Sequence, residues 1–395
     1  MNIHDFSSKY LFLLFGIFLS ISSVLGLDWH YDTSTRIEAL GTDFAGVLKD
    51  LQTDIEVRSP VYVEDYRAFT IFHRGHHYQW GMPLSFNLFY NHFGLALSYG
   101  GHYFLNTNTS YPSDEFYRFN LSGFWSKANF GLQYNFFIDD QDLDYAGLNN
   151  PSSDEDFTFS SITFGYRPTN LIGFDFRCRL GLGYYDSTYS EFISGQLTPT
   201  AQTKFFIPSA QIGLSYERNV FNNGSLNLLA DLGGPASGFE VRRLPVPFQS
   251  TVWHNSAGKP STLDNFANSF STRVAGAVSF EPKPSLLIAL GVNDFWSGAR
   301  TKQENPTTAW VNIFSLPLAI EYQLTDNITF RGGVRAEYYY QYSRQQLSQV
   351  VSYWWRSQSL GLGFRLFQDW FLDLTSLSNL LAIESIDLSL RKELP

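Results

Sequence analysis

Cysteine is almost absent: Cys178 is the only one in 395 residues, so the chain builds no intramolecular disulfide, no cysteine zinc site and no iron–sulfur cluster of its own. Methionine is nearly as scarce, with two residues. Charge is sparse at 16% and tilted acidic, with 27 Lys plus Arg against 37 Asp plus Glu and a formal net charge of −10. With no run of basic residues, nucleic acid is excluded as a partner. No long apolar run occurs after the first 26 residues, which excludes a bundle of membrane-spanning helices. What is plentiful is aromatic: 37 Phe, 23 Tyr and 9 Trp make 17% of the chain. That usage favours strands and membrane-interface belts over helical cores, so an all-β chain in lipid is expected.

Residues 1–26 carry Lys9, an apolar run from Leu11 to Leu19 and small residues up to Gly26. This three-part pattern predicts a signal peptide cleaved after Gly26. The alternative is a retained anchor helix, for which Tyr10 to Gly26 is short against the ~20 residues needed to span. Cys178 lies far from this region, so no lipid-modified cysteine follows the signal.

From Val61 onward, large apolar residues alternate with polar or small ones, the period-two signal of strands. In 129–139, Phe130, Leu132, Tyr134, Phe136 and Ile138 share one face, while Gln133, Asn135 and Asp139 share the other. In 172–184, Phe174, Phe176, Cys178 and Leu180 oppose Asp175, Arg177 and Arg179. Strands are expected near 61–73, 78–90, 93–106, 115–126, 128–140, 156–167, 172–186, 204–218, 224–240, 265–281, 285–297, 308–323, 327–343, 350–367, 369–375 and 384–392. Tight connectors such as Asn91-His92 alternate with long polar ones such as 241–264.

A soluble sandwich also alternates, but strict alternation of short turns and long loops is the signature of an outer-membrane barrel. In lipid a β-chain satisfies its backbone only by closing. The expected fold is therefore a transmembrane antiparallel β-barrel of 14–16 strands with a short N-terminal plug-like segment. The count stays open because the connector 376–383 is apolar. The domains are read as signal peptide 1–26, periplasmic or hatch segment 27–60 and barrel 61–395, with Trp310, Trp354, Trp370, Tyr338 and Tyr340 in aromatic girdles. Outer-membrane lipid and the barrel-assembly machinery are the expected partners, in the outer membrane of a Gram-negative-type bacterium.

Residues 36–60 do not alternate. Arg36, Gly41, Phe44, Ala45, Gly46, Asp50, Asp54 and Pro60 fall in a pattern that resembles the N-terminal segment of the long-chain fatty acid transporter superfamily. Arg58-Ser59-Pro60-Val61 stands where that superfamily has Asn-Pro-Ala, without the Asn. The resemblance covers about 25 residues. It implies a fourteen-stranded barrel with the segment folded into the lumen as a hatch, and passage of hydrophobic molecules. From the residues alone, Gly41 and Gly46 permit tight turns and Pro60 stops a helix.

The polar faces place Arg118, Asp175, Arg177, Arg179, Glu217, Arg273, Glu321, Arg331, Arg335, Glu337, Arg365, Asp373, Asp387 and Arg391 in the lumen. That mixed lining favours water and ion pairs over a greasy conduit. A hydrophobic route needs a local apolar pocket, expected from Phe44, Leu48 and Leu51 with Phe124 and Phe137.

Other chemistry is outweighed. His254 and Ser256 follow the His-x-Ser-x-Gly of outer-membrane phospholipases, but in a loop and without an orienting third group. His73, His76 and His77, with His102, lack ligand spacing for a metal, and the acids of 139–144 lack a calcium-loop pattern. No catalytic site, metal or cofactor is expected. The function expected is passive transport of small, possibly hydrophobic solutes; the alternatives are a non-conducting surface barrel for adhesion or structure, and a barrel phospholipase.

Overall fold

The computed structural model describes residues 35–40, 44–50, 53–76, 84–103, 113–144, 152–193, 196–221, 223–234, 270–300, 308–344, 348–367, 369–376 and 385–395. Among the described residues sixteen strands are present. They are β1 (Ala68–His76), β2 (Leu84–Tyr90), β3 (Phe93–Tyr103), β4 (Ser113–Lys127), β5 (Phe130–Asp144), β6 (Ser152–Tyr166), β7 (Phe174–Ile193) and β8 (Gln196–Phe221). The second half comprises β9 (Gly224–Gly234), β10 (Phe270–Lys283), β11 (Leu286–Arg300), β12 (Thr308–Thr325), β13 (Ile328–Arg344), β14 (Ser348–Phe367), β15 (Trp370–Ser376) and β16 (Ser385–Glu393). Each pairs antiparallel with its sequence neighbours, and β1 pairs with β16, Phe69 opposite Lys392 and His73 opposite Leu388, so the sheet closes. The fourteen strands implied by the resemblance are corrected to sixteen, because β15 and β16 form two separate ladders rather than one irregular segment.

The barrel is inside out relative to a soluble protein. Phe93, Phe130, Leu180, Ile212, Val274 and Leu290 face outward and are exposed, whereas Ser122, Thr163, Asp175, Arg177, Asn227 and Arg273 face inward and are buried. In β2 the alternation is direct: Ser85, Asn87 and Phe89 are buried and Leu84, Leu88 and Tyr90 exposed. An apolar exterior of this kind belongs in hydrocarbon, and the sandwich alternative falls. At the girdle, the rings of Tyr338 and Trp354 lie 5.1 Å apart, with Trp354 64% exposed.

One end of the barrel carries the tight turns. Asn91 and Ala128 reverse the chain there with φ of 54° and 55°. In outer-membrane barrels the tight turns mark the periplasmic end. Most connections at the opposite end, 235–269 among them, lie outside the described residues. Two sequence boundaries shift. Strand one starts at Ala68 rather than Val61, because Pro60–Asp65 is a 3-10 helix. Residues 187–193 and 196–203, expected as parts of a connector, continue β7 and β8 as the two paired arms of a hairpin. With 26 residues in β8 against the ~9–11 a membrane strand needs, this hairpin stands well clear of the bilayer.

Candidate functional site: the lumenal segment and its seam with the wall

The described residues between 35 and 66 are folded inside the barrel in short turns. Helix α1 (Thr35–Leu40) is followed by a turn in which Val47 and Leu48 donate backbone N–H bonds to Phe44 O at 3.0 and 2.9 Å. Gly46 adopts φ +76°, and a Cβ there would run into Val57; this position requires glycine. Asp50 Oδ1 accepts from both Thr53 N and Thr53 Oγ1 at 3.1 Å and so caps the next turn. That turn, Asp54–Arg58, is π-helical, with Ser59 N donating to Asp54 O at 2.9 Å. Extended Ser59 then caps the 3-10 helix, its Oγ accepting from Val61 N, with Pro60 at the first helical position, where a missing N–H costs nothing.

The segment reaches the wall on all sides. Helix α1 packs on β12–β16, the π-helical turn on β7 and β8, and the 3-10 helix on β2–β6. Between them, Phe44, Ala45, Val47 and Leu48 pack against Leu229, Ala275, Leu287 and Ala289 on β9–β11. Glycines make the close approach possible. A Cβ on Gly131 would overlap the backbone of Pro60 and Val61, on Gly165 Ser59 Oγ, on Gly333 the Leu40 carbonyl and on Gly361 the Ala39 side chain. All four sit on inward-facing rows, where the wall has been emptied of side chains to seat the segment.

Ion pairs cross the seam from Arg58, Arg36, Asp65 and Glu64, the last two to Arg167 at 3.5 Å and His92 at 3.3 Å. Arg58, buried, donates through Nη1 to Glu217 Oε2 at 2.9 Å and pairs with Asp175 at 3.4 Å and Asp54 at 3.7 Å. Its guanidinium lies 4.8 Å from the Tyr62 ring centre, and Tyr62 Oη donates to Asp175 Oδ2 at 2.7 Å. Arg167 completes this cluster, donating to Asp175 Oδ1 at 2.9 Å and lying 4.4 Å from the same ring. The second contact is bidentate: Arg36 Nε and Nη2 donate to the two oxygens of Glu321 at 2.9 and 3.1 Å. Arg331, which pairs also with Asp373, donates to Glu321 at 2.7 Å. Arg177, paired within the wall to Asp231 at 2.6 Å, crosses the seam by donating to the Val57 carbonyl. Neutral ties add to these: Arg273 Nη2 donates to Ala45 O at 3.1 Å and Ser359 Oγ to Ala39 O at 2.9 Å. Burial pushes the Asp54 carboxyl up to about 7, against the pull of Arg58.

Of the residues singled out in the sequence, Arg36, Phe44, Gly46, Asp50, Asp54 and Pro60 lie in the lumenal segment, while Gly41 lies outside the described residues. Asp175, Arg177, Glu217, Arg273, Glu321 and Arg331 converge on the seam. Others stay in the wall: Arg179 donates to Thr163 Oγ1, Arg335 pairs with Glu337 at 3.4 Å, and Arg365 is exposed. Arg118 occupies the inward register of β4 opposite Asp139; its side chain is not described. The apolar pocket is corrected. Phe44 and Leu48 face β9–β11, whereas Phe124 packs with Phe89, Val63 and Tyr66, because the segment's two ends address different walls. Leu51 and the pair His254 and Ser256 lie outside the described residues. Sequence reasoning missed Arg58 as a tether, Tyr62, Arg167, Asp231 and the inward glycines. Asp231 was findable from strand parity; a glycine's role depends on what lies against it.

No protein-family model matches the chain, and no curated protein matches it in sequence. Solved structures do. CdiB from Escherichia coli matches with a TM-score of 0.48 and 12% identity over 83% of this chain and 62% of that one. This chain thus spans about three-fifths of the length of the CdiB structures it matches. A Pseudomonas aeruginosa FadL homologue matches with a TM-score of 0.46 and 9% identity over 91% and 98% of the two chains. The Ralstonia pickettii toluene transporter TbuX matches with a TM-score of 0.40 and 8% identity over 87% and 94%. These likenesses are of barrel architecture, which the closed sheet establishes by itself.

Proposed function

We infer that this chain is an outer-membrane channel for a small solute, closed at rest by residues 35–66. The observation that carries the reading is the contact of that one segment with walls from β2 round to β16. Its attachment is entirely non-covalent, through ion pairs and hydrogen bonds to backbone carbonyls, so it can be released without chemistry. The resemblance in residues 36–60 implies hydrophobic solutes. Signal-peptide export, outer-membrane residence and insertion by the assembly machinery belong to the same reading. Planar-bilayer recording of the refolded protein tests it: small conductance from the full chain and a larger one when residues 27–60 are deleted supports a closed channel. Equal conductance from both removes the gating role.

The β7–β8 hairpin favours a second reading, a surface barrel that binds a partner. A paired ribbon that extends well past the bilayer contributes nothing to a pore and much to an interaction surface. Silence from both forms in the same recording, with heat-modifiable barrel on gels, selects it.

A further inference from the structure

We propose that the outside of the barrel carries a groove for one phospholipid of the periplasmic leaflet. The groove lies over β4–β10 and has a volume of about 1270 Å³. This exceeds the roughly 300–1,000 Å³ of ordinary small-molecule pockets and suits a long flexible chain. Its two rims are outward rows of adjacent strands. Phe130, Tyr166 and Phe176 form the lower rim, nearest the tight-turn end, and Leu132, Phe164 and Ile212 the upper. The floor between them is the row Gly131, Gly165, Arg177 and Gly213, which faces the lumen and, with the Arg177 side chain turned inward onto Asp231 and Val57, shows the groove its backbone.

Three observations select the occupant. The lining is apolar and largely exposed, Phe130 at 59%, Phe164 at 51% and Ile212 at 58%, on a surface that faces hydrocarbon. The groove opens beside the 128–129 turn, hence at the depth of the periplasmic leaflet, whose lipids are phospholipids. Lys127 stands at that end, exposed, with no carboxylate against it among the described residues. An ammonium at the mouth of an apolar groove matches a lipid phosphate above an acyl chain. The acidic member of the lining, Asp231, is turned inward onto Arg177 and offers the groove no charge.

The floor has a second face. Gly131 and Gly165 are the residues on which Ser59, Pro60 and Val61 rest from within. One backbone layer therefore separates the lipid chain from the lumenal segment.

The proposal rests on the membrane placement of the barrel, not on conduction. The test is native mass spectrometry of the full chain after exhaustive detergent exchange, followed by back-titration with phosphatidylethanolamine and phosphatidylglycerol vesicle lipids. Wild type should retain one phospholipid. Cys178→Trp, which fills the groove from its wall, should lose it with at least a tenfold weaker back-titration. Lys127→Glu should weaken it severalfold with the groove intact. Because a tryptophan could disturb folding, each variant is first checked for heat-modifiable migration. The native cysteine supplies an independent readout, since labelling of Cys178 by a thiol reagent should slow severalfold when phospholipid is added. Retention of lipid undiminished in Cys178→Trp, retention of lipopolysaccharide instead, or labelling indifferent to phospholipid would overturn the proposal. A barrel that holds the lipid yet never conducts would leave it standing and remove only the channel reading.

Discussion

The lumenal segment meets two different kinds of wall. Against β7–β9 and β12–β15 it is tied by charge: Arg58 to Glu217 and Asp175, Arg36 to Glu321, and Val57 to an Arg177 held by Asp231. Against β2–β6 it is mainly fitted, its ion pairs there confined to the partly exposed tight-turn end, Asp65 to Arg167 at 3.5 Å and Glu64 to His92 at 3.3 Å. Val63 and Tyr66 pack on Phe89 and Phe124, with ring centres 5.3 Å apart for Tyr66 and Phe89, and Pro60 lies on the glycine floor. On that side Ser126 Oγ, Gln133 Oε1 and Ser161 Oγ are buried without a hydrogen-bond partner. Buried atoms of this kind, each costing roughly 1–3 kcal/mol, occur on the charged half as well, at Asp54 Oδ1 and Ser315 Oγ. What sets the fitted half apart is that its ion pairs are solvent-exposed and worth about 0–1 kcal/mol, so it resists separation less. The contrast teaches where a closed lumen gives way: the segment should hinge on its ionic half and lift first along β4–β6.

The largest effect should come from breaking the ionic half. Arg58→Met leaves Asp54, Asp175 and Glu217 facing one another with their main cation gone. Removing one partner of a buried pair costs about 3–5 kcal/mol. Limited proteolysis between residues 35 and 66 should become at least a hundredfold faster while the barrel still migrates as folded. Proteolysis at the wild-type rate would show that the charges do not hold the segment.

The fitted half is sharpened next. Gly165→Val places a side chain where Ser59 and Pro60 sit, and overpacking of this kind costs about 1–3 kcal/mol. Hydrogen exchange of residues 59–63 should rise. Gly123→Ala is its control, since a Cβ there meets nothing within 4 Å and exchange should not change.

pH provides a graded test. In the docked state burial holds the Asp54 carboxyl at about 7, above its ordinary 3.8. The docked form therefore binds more protons than the released form between these values, and docking weakens as pH rises from about 4 to 7. Its contribution is full below about 4 and lost above 7. Protection of the segment's amides, after correction for the intrinsic base-catalysed exchange rate, should be lower at pH 8 than at pH 5, and Asp54→Asn should flatten that component. An unchanged slope in the variant would assign it to other groups.

The smallest effect lies outside both halves. Ala128 holds a left-handed φ of 55° that a Cβ disfavours. Ala128→Gly should raise the unfolding temperature of the barrel slightly, by the equivalent of ~0.5–1 kcal/mol, and leave proteolysis of the segment unaltered.

Much of the wall was legible in the sequence because lipid on one side and polar groups on the other impose a period of two. Each of the sixteen expected strands has a counterpart. The errors fall where that constraint lapses. Val61, Tyr62 and Val63 mimic a strand's start but are buried within the lumen, where a 3-10 helix serves as well. Residues 187–193 and 196–203 lack a regular apolar alternation and are rich in Ser, Thr and Gln, so the paired strands there read as a loop. The inward charges were legible by parity; their partners were not. Arg36 meets Glu321 across 285 positions of chain, a separation set only by how the barrel closes around the segment. The inward glycines were silent for the same reason, since an absent side chain shows its purpose only against the backbone it admits.

The central claim is that residues 35–66 close the lumen through their ionic half. Single-channel recording of the full chain beside an Arg36→Ala, Arg58→Ala double variant tests it most directly. The account predicts a nearly silent wild type and long-lived openings in the variant, with the barrel folded in both. Identical currents from the two proteins, when proteolysis shows that the variant's segment has come free, would contradict it.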